Sequence, residues 1–582
     1  MNLFQRKKLH MIGERSGSLE QARGRIVLMS AVFVCAYLLV AARSVDLMVL
    51  QGALQKKGED AVYVAPIKDE KISRRGDIVD RNGVLLARSL KTASLYADPK
   101  FVIDPKTVTK ELTKVFPDLQ YGDVLKKLQS KKRFVWIKRN LTPEEQGEVL
   151  QLGIPALDFK EEDRRLYPQG PLAVHMVGYS GVDGQGLSGI EASFNELLEN
   201  DDDALTLTID VRLQHALRRE IMASIEKFSA KGGAGVIMDV RDGSVLAAVS
   251  LPDFDPQQYK SADNNAQFNR ITLGVYELGS VFKIFSTAAL LETTNGNIAQ
   301  VFDAREPLKR GRHKIRDYHA EKRIMSLPEV FMHSSNIGSA LMGEQVGTEK
   351  LKNFYKDLGL LTNVNFEIGE VGRPIVPSPW RDINTLTACY GHGVAVSPLQ
   401  LTSAVSSIVN GGEYVEPTLI LNEANSEKVT KKSSNKTSVR IVSPEVSHRM
   451  RQLLRLVVTD GTGRSADVEG YYVGGKTGTA EKPGVGGYNR KSLISSFVGT
   501  FPVQEPRYVV YVMVDEPQGT KESYGYATGG WVAAPVVKNV ISSMVSILNI
   551  PLPSKPKNIE KSLLRFVKTK EQIEKEKNIA TH

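Results

Sequence analysis

"LGSVFKIFS" (residues 278–286) sets a serine and a lysine three positions apart in a run that is otherwise apolar or small. An ammonium group among Val281, Phe282, Ile284 and Phe285 is poorly solvated, so the stretch asks what the lysine is for. If a helix begins near Ser280, after the flexible Gly279, the two side chains lie on one face a turn apart. Apolar neighbours disfavour the charged amine and the positive end of the helix acts in the same direction, so the Lys283 pKa falls. A neutral amine can take the proton of a serine hydroxyl, which makes Ser280 a nucleophile without a histidine. A serine and lysine at this spacing also arise by chance, as an amphipathic helix with a snorkelling lysine. The surrounding sequence must decide.

At 582 residues the chain exceeds one hydrophobic core and should form two or three folded units. The formal charge of +10 is concentrated at the ends: residues 1–25 and 553–582 each carry a net +4, and the body between them is close to neutral. A nucleic-acid site needs its positive charge on a folded face, so nucleic acid is excluded as a partner. "IVLMSAVFVCAYLLVAA" (26–42) holds seventeen uncharged residues between Arg25 and Arg43 and reaches roughly 25 Å as a helix. It is long for a signal-peptide core, although Val40 and Ala42 offer a tolerable cleavage site. With Arg6, Lys7, Lys8, Arg15 and Arg23 before it, the N-terminus is expected in the cytoplasm and the remainder outside. Cys389 is the only cysteine beyond the span, so no disulfide braces the exported part, and no clustered Cys/His spacing calls for a metal.

Turn chemistry and periodicity organise the rest. The Asn82-Gly83 and Asp242-Gly243 turns predict hairpins over 73–89 and 232–252. Residues 106–152 carry helical patterns, 174–198 reads as a strand passing through glycines into a helix, and 205–225 as a strand up to Asp210 followed by a helix. From about 278 to 405 the pattern is mainly helical, and 471–481, 494–502 and 507–515 read as strands. Strands at both ends with helices between them predict an α+β domain whose sheet joins distant parts of the chain. The Lys/Glu-rich last thirty residues read as an appended mobile tail.

Two further motifs follow the first in order: "SSN" (334–336), interrupting a helical pattern, and "KTGT" (476–479), inside the strand-like "YYVGGKTGTAEK". Serine-x-x-lysine, an S-x-N-like triplet and K-T-G together are the signature of penicillin-binding proteins and serine β-lactamases. The chain resembles a class B penicillin-binding protein, a peptidoglycan D,D-transpeptidase of the cell-division FtsI type. "RRGDIVDRNGVLLA" (74–87) and "RLYPQGPLAVHMVGYSGVDGQGLSGIE" (165–191) are similar to its pedestal motifs, and "GHGVAVSPLQL" (391–401) and "GTGRSADVEGYYVGGKTGTAEK" (461–482) to its transpeptidase segments. Leu278 stands where many relatives have proline.

The resemblance implies a cytoplasmic tail (1–25), a transmembrane anchor (26–46), a mixed α/β pedestal of the dimerisation type (47–225), a transpeptidase domain with an antiparallel sheet flanked by helices (226–552) and a charged tail (553–582). It implies that Ser280 attacks the bond between the two terminal D-alanines of a stem peptide, that Lys283 takes its proton, and that Ser334 relays a proton to the departing amine. Asn336 would orient the lysine and bind the donor backbone, Lys476 would supply positive charge near Ser334, and Thr477 and Thr479 would bind the substrate carboxylate. Gly478 would let an extended peptide lie along the strand edge, and the N–H groups of Ser280 and Thr479 would form the oxyanion hole. Ser335 and His333 are read as packing or local hydrogen bonding. No cofactor is implied. The partners implied are stem peptides, β-lactams and division-complex membrane proteins including a polytopic glycosyltransferase.

Rival readings differ in identifiable features. A serine β-lactamase needs a placed base for its deacylating water, and no residue is singled out for it. A penicillin sensor needs a cytoplasmic signalling domain, which twenty-five residues cannot form. An elongation-specific class B transpeptidase is the nearest alternative, and a scaffolding role is compatible with catalysis.

Overall fold

A computed structural model describes residues 16–45, 75–200, 203–421, 439–484, 487–552, 558–569 and 571–574. The expectations for residues 1–15, 46–74 and 575–582 lie outside the described residues. The apolar run near the N-terminus forms the helix Ser16–Val45, of which Gly24–Arg43 is long and apolar enough to cross a membrane.

The larger unit, from Ser73 onward, is built on two sheets. In the N-terminal one, the long strand Leu85–Ala97 pairs with Val135–Leu141, Leu157–Leu166 and Ile78–Val79, the last across the Asn82-Gly83 turn where Gly83 has φ +82°. The helices Pro105–Val115, Tyr121–Leu128 and Pro143–Gln151 close a separate small core around Leu95, Leu112 and Phe116. Below them, three stretches distant in sequence meet at one carboxylate. Glu191 is fully buried, with Arg75 Nε 2.6 Å from one oxygen and Arg165 Nε 2.7 Å from the other. Arg75 and Arg165 are themselves buried, so Glu191→Ala removes the counter-charge of Arg165 and leaves Arg75 only the more distant, half-exposed Glu199 at 3.7 Å. A loss of about 3–5 kcal/mol of stability is expected, read as a lower denaturant midpoint, with Glu191→Gln losing less.

The second sheet runs Gly474–Gly484, Gly487–Phe501, Tyr508–Asp515, Gly232–Asp239, Val245–Leu251, antiparallel throughout. It therefore joins residues 232–251 to residues 474–515. Side-chain alternation splits its two faces. Val510, Val512 and Val514 point into a core with the helices Val211–Lys227 and Gly529–Ile547, while Val509, Tyr511 and Met513 point into one with Lys283–Thr293, Pro398–Val409 and Pro444–Thr459. The glycines of "GGAGV" are required by this packing: a Cβ on Gly235 would stand 2.7 Å from Ile221 Cδ1. The helix Val211–Lys227, which the sequence reading set before its domain boundary at 225, thus lies on the sheet that follows that boundary. Gly529–Ile547 is also apolar enough to span a membrane, but it is packed on the sheet.

Several elements differ from expectation. Residues 174–198 contain no opening strand; the run starts as the short helix Val174–Val177 and continues into Gly189–Ser193 and Asn195–Asn200, because an apolar run of four residues does not distinguish strand from helix. Before Asp210 only Leu205–Thr206 is a strand. Within 278–405, two small ribbons, Val301–Asp303 with Ile324–Ser326 and Leu308–Arg310 with His313–Ile315, interrupt the helices. The C-terminal stretch is not wholly a free tail: Ile559–Phe566 forms 3-10 turns and buries Leu563 in the main core.

Candidate active site

The nucleophile segment is wound more tightly than expected. Gly279–Phe282 is a 3-10 turn and the α-helix Lys283–Thr293 begins only at the lysine. Residues i and i+3 eclipse in a 3-10 turn, so the pair still meets: Lys283 Nζ lies 2.9 Å from Ser280 Oγ. Gly279 (φ +57°) makes the geometry possible, since a Cβ there would stand 2.6 Å from the Thr479 carbonyl oxygen.

Lys283 is completely buried and four oxygens surround its amine. It donates to the Ser334 carbonyl at 2.6 Å and to Asn336 Oδ1 at 2.8 Å, with Ser280 Oγ at 2.9 Å and Ser334 Oγ at 3.1 Å. Asn336 is oriented by its own Nδ2 donating to the Arg316 carbonyl at 3.0 Å, which turns Oδ1 toward the lysine. The carbonyl and Oδ1 can only accept, so they occupy two N–H groups and a neutral amine keeps its lone pair for a serine hydroxyl. Burial drives the Lys283 pKa well below its ordinary value, and the nearby Lys476 charge lowers it further, against a smaller opposing effect of Asp317.

Ser334 joins this cluster to the sheet. Lys476 Nζ is 2.9 Å from Ser334 Oγ, and Lys476 is likewise fully buried, its pKa lowered to about 7 by desolvation. Ser280, Lys283, Ser334 and Lys476 therefore form one continuous chain of contacts. Ser334 holds φ +61°, a backbone conformation that costs a non-glycine residue about 1–3 kcal/mol and needs firm support on both sides. The helix Leu327–Met332 supplies one side. The other is Ser335, which caps Asn336–Val346 by accepting from Gly338 N and donates to Asp317 Oδ2 at 2.8 Å. Ser335 thus makes local hydrogen bonds, and His333 Nδ1 stands 3.6 Å from Glu321 Oε1.

Gly474–Gly484 is the outermost strand of its sheet, paired on one side with Gly487–Phe501. Thr477 Oγ1 is 2.7 Å from Thr462 Oγ1, and Thr479 Oγ1 accepts from Gly529 N at 3.1 Å. Gly478 also has a packing reason. A Cβ there would meet Ser496 Oγ at 2.3 Å, Val281 Cγ2 at 2.7 Å and the Leu278 carbonyl at 2.8 Å, so the missing side chain is what lets the strand and the nucleophile turn lie against each other.

Four features of the site carry no signal in the motifs. Asp317 ties down the triplet from an irregular loop, and Thr462 lies in the quoted segment 461–482 with nothing to mark it. Glu277 accepts from Tyr488 Oη and from Gly393 N, tying the hairpin 474–501 to the residues just before Ser280. His392 packs at tilted angles against Tyr390 and Tyr488, its pKa lowered to about 4 by burial and by the Lys283 charge. Among the described residues no group of three or more His, Cys, Asp or Glu side chains could hold a metal ion.

Residues 233–542 match the penicillin binding protein transpeptidase domain, and residues 70–220 the penicillin-binding protein dimerisation domain. The chain is 38% identical over 489 residues to a probable peptidoglycan D,D-transpeptidase FtsI of Caulobacter vibrioides, covering 82% of each protein. It is 33% identical over 522 residues to stage V sporulation protein D of Bacillus subtilis, covering 82% of this chain and 78% of that one. The crystal structure of penicillin binding protein 3 from Mycobacterium tuberculosis complexed with aztreonam has the same fold, with a TM-score of 0.65 at 24% identity over 82% of this chain and 97% of that one. A two-domain architecture with a serine–lysine site at the edge of an antiparallel sheet, two family matches that together span most of the chain and relatives at this identity lead to one conclusion: the chain belongs to the penicillin-binding proteins, as a class B transpeptidase of the FtsI type.

Proposed function

We propose that the protein crosslinks stem peptides of the septal cell wall as a D,D-transpeptidase anchored in the cytoplasmic membrane, N-terminus inside and catalytic part outside. The observation that carries the chemistry is the buried amine of Lys283, 2.9 Å from Ser280 Oγ, with its N–H groups taken up by the Ser334 carbonyl and Asn336 Oδ1. Ser280 Oγ attacks the carbonyl carbon of the penultimate D-alanine as its proton passes to Lys283 Nζ. The C–N bond then breaks, and the terminal D-alanine leaves with a proton delivered through Ser334 Oγ, which lies between the amines of Lys283 and Lys476. An amine of a neighbouring stem peptide attacks the acyl carbon, the ester C–O bond breaks and Ser280 recovers its proton. Lys476, Thr477 and Thr479 line the place for the donor carboxylate, and the Ser280 and Thr479 N–H groups hold the oxyanion. β-Lactams enter at the same serine. The division assignment follows the FtsI-named relative, and the alternative it must be separated from is an elongation-specific transpeptidase. Depletion during growth is expected to give filaments, and round cells would assign elongation instead.

The chemistry has its own test. Only the deprotonated lysine is a base, so the acylation rate with a fluorescent penicillin is expected to fall as pH drops through the depressed Lys283 pKa and to level off above it. A rate that keeps climbing until pH 10 would mean an ordinary lysine pKa and overturn the base assignment. Mass spectrometry of the labelled protein is expected to place the adduct on the peptide containing Ser280.

A further inference from the structure

We propose that residues 559–568 are a positioning strap for Ser334, clamping the helix that ends at the serine to the helix behind the Lys476 strand. This segment lies beyond the transpeptidase match, which ends at residue 542.

Its contacts fall on both sides of the 2.9 Å approach between Ser334 and Lys476. On one side, the helix Leu327–Met332 has six residues, too few to hold itself, and the backbones of His333, Ser334 and Ser335 hang from its carbonyls at Glu329, Phe331 and Val330. The strap secures the start of that helix. Ser326 Oγ donates to the Phe566 carbonyl at 2.6 Å, and the Lys568 N–H donates to Glu329 Oε1 at 2.8 Å. The same Glu329 is buried, accepts from Ser326 N at 2.8 Å and pairs with Arg323 at 2.9 Å, so the strap adds a further contact to a carboxylate that already fixes the first turn. On the other side, Gln452 of Pro444–Thr459 donates to the Ile559 carbonyl at 2.9 Å and to Ser562 Oγ at 3.0 Å. That helix holds the strand of Lys476 through Arg455, whose Nη1 donates to the Val473 carbonyl at 2.8 Å. Leu563, wholly buried, pins the strap in the core it shares with Val330 and Phe331.

The strap is therefore bonded to both of the elements that bring Ser334 and Lys476 together. Ser334 sits in a backbone conformation that relaxes readily if its helix shifts. Residues of the strap touch no reacting group; they act through Ser334. The inference rests on Ser334 serving acylation as proposed above.

The test is the acylation of the full-length protein by a fluorescent penicillin, read as both rate constant and final amplitude, for Leu563→Ala and for a chain ending at Asn558. A roughly ten-fold lower rate constant at full amplitude is expected for each, since a displacement of under 1 Å suffices for such a loss. Adding a peptide of residues 559–574 to the shortened chain is expected to restore the rate. An unchanged rate constant overturns the strap, and so does a smaller amplitude at unchanged rate, which is the mark of a merely less stable fold. If the shortened chain fails to fold, Leu563→Ala is read in the same way. Absence of labelling in the wild-type protein would overturn the proposed function itself, whereas normal wild-type labelling with normal variants overturns the strap alone.

Discussion

Replacing Ser280 by alanine is expected to abolish covalent labelling by penicillin, replacing Lys283 by arginine to slow it by about 10³-fold or more, and the double variant to be no worse than Ser280→Ala. The reason is that the two side chains perform one act. Lys283 contributes only by taking the proton that Ser280 loses, so once the hydroxyl is gone the amine has nothing to accept. Arginine keeps the positive charge and nearly the reach, but its guanidinium stays protonated in any protein environment and has no lone pair to offer. Its fork of N–H groups would also have to be housed where four oxygens already fit one amine and where the second buried cation, Lys476, is reached through Ser334. Circular dichroism of the variants should match the wild type, because Ser280 and Lys283 lie in a wall whose packing is made by Val281, Phe282 and Phe285. Labelling of Ser280→Ala at the wild-type rate would remove that serine as the nucleophile.

The three motifs were legible because their chemistry is local: residue type and order suffice, and three distant stretches meet around Ser334. The central strands were legible for a related reason, since Tyr508–Asp515 and Gly232–Asp239 are short runs bounded by turn residues. The outer end of the last hairpin was not. "EKPGVGGYNRKS" (481–492) is rich in turn residues, yet the arms Gly474–Gly484 and Gly487–Phe501 reach into it from both ends because each pairs with the other. The strap was misread for the opposite reason. Its lysines and glutamates dominate the composition, and the three apolar residues that dock it, Leu563, Phe566 and Val567, are too few to register as periodicity. Asp317 and Glu277 belong to neither kind: Asp317 reaches the triplet from a loop about twenty residues before it and Glu277 meets Tyr488 more than two hundred residues on, and only the fold brings them near.

Gly478→Ala is expected to reduce acylation about 10²-fold while Gly484→Ala, in the same strand, leaves it near the wild-type rate. Both changes add one methyl group to a glycine of the strand Gly474–Gly484, so strand propensity cannot separate them. Surroundings do. At Gly484 the nearest heavy atoms to an added Cβ are at 3.6 Å, ordinary contact distance. At Gly478 the added carbon would stand 2.3 Å from Ser496 Oγ and 2.8 Å from the Leu278 carbonyl oxygen. The serine hydroxyl can rotate away, but the carbonyl cannot, because Leu278 is buried and the next residue, Gly279, is itself wedged: a Cβ on Gly391 would stand 2.1 Å from its oxygen, and one on Gly279 itself 2.6 Å from the Thr479 oxygen. The strand must therefore move away from the nucleophile turn, at an overpacking cost of about 1–3 kcal/mol. Thr479 travels with the strand while Ser280 stays with the turn, so the two N–H groups assigned to the oxyanion are pulled apart, and a misplacement approaching 1 Å at a reacting centre costs about 10²-fold in rate. Rate and stability should thus fall together in Gly478→Ala and stay together, near wild type, in Gly484→Ala. Equal acylation by the two variants would mean that the close approach of strand and turn does not set the site.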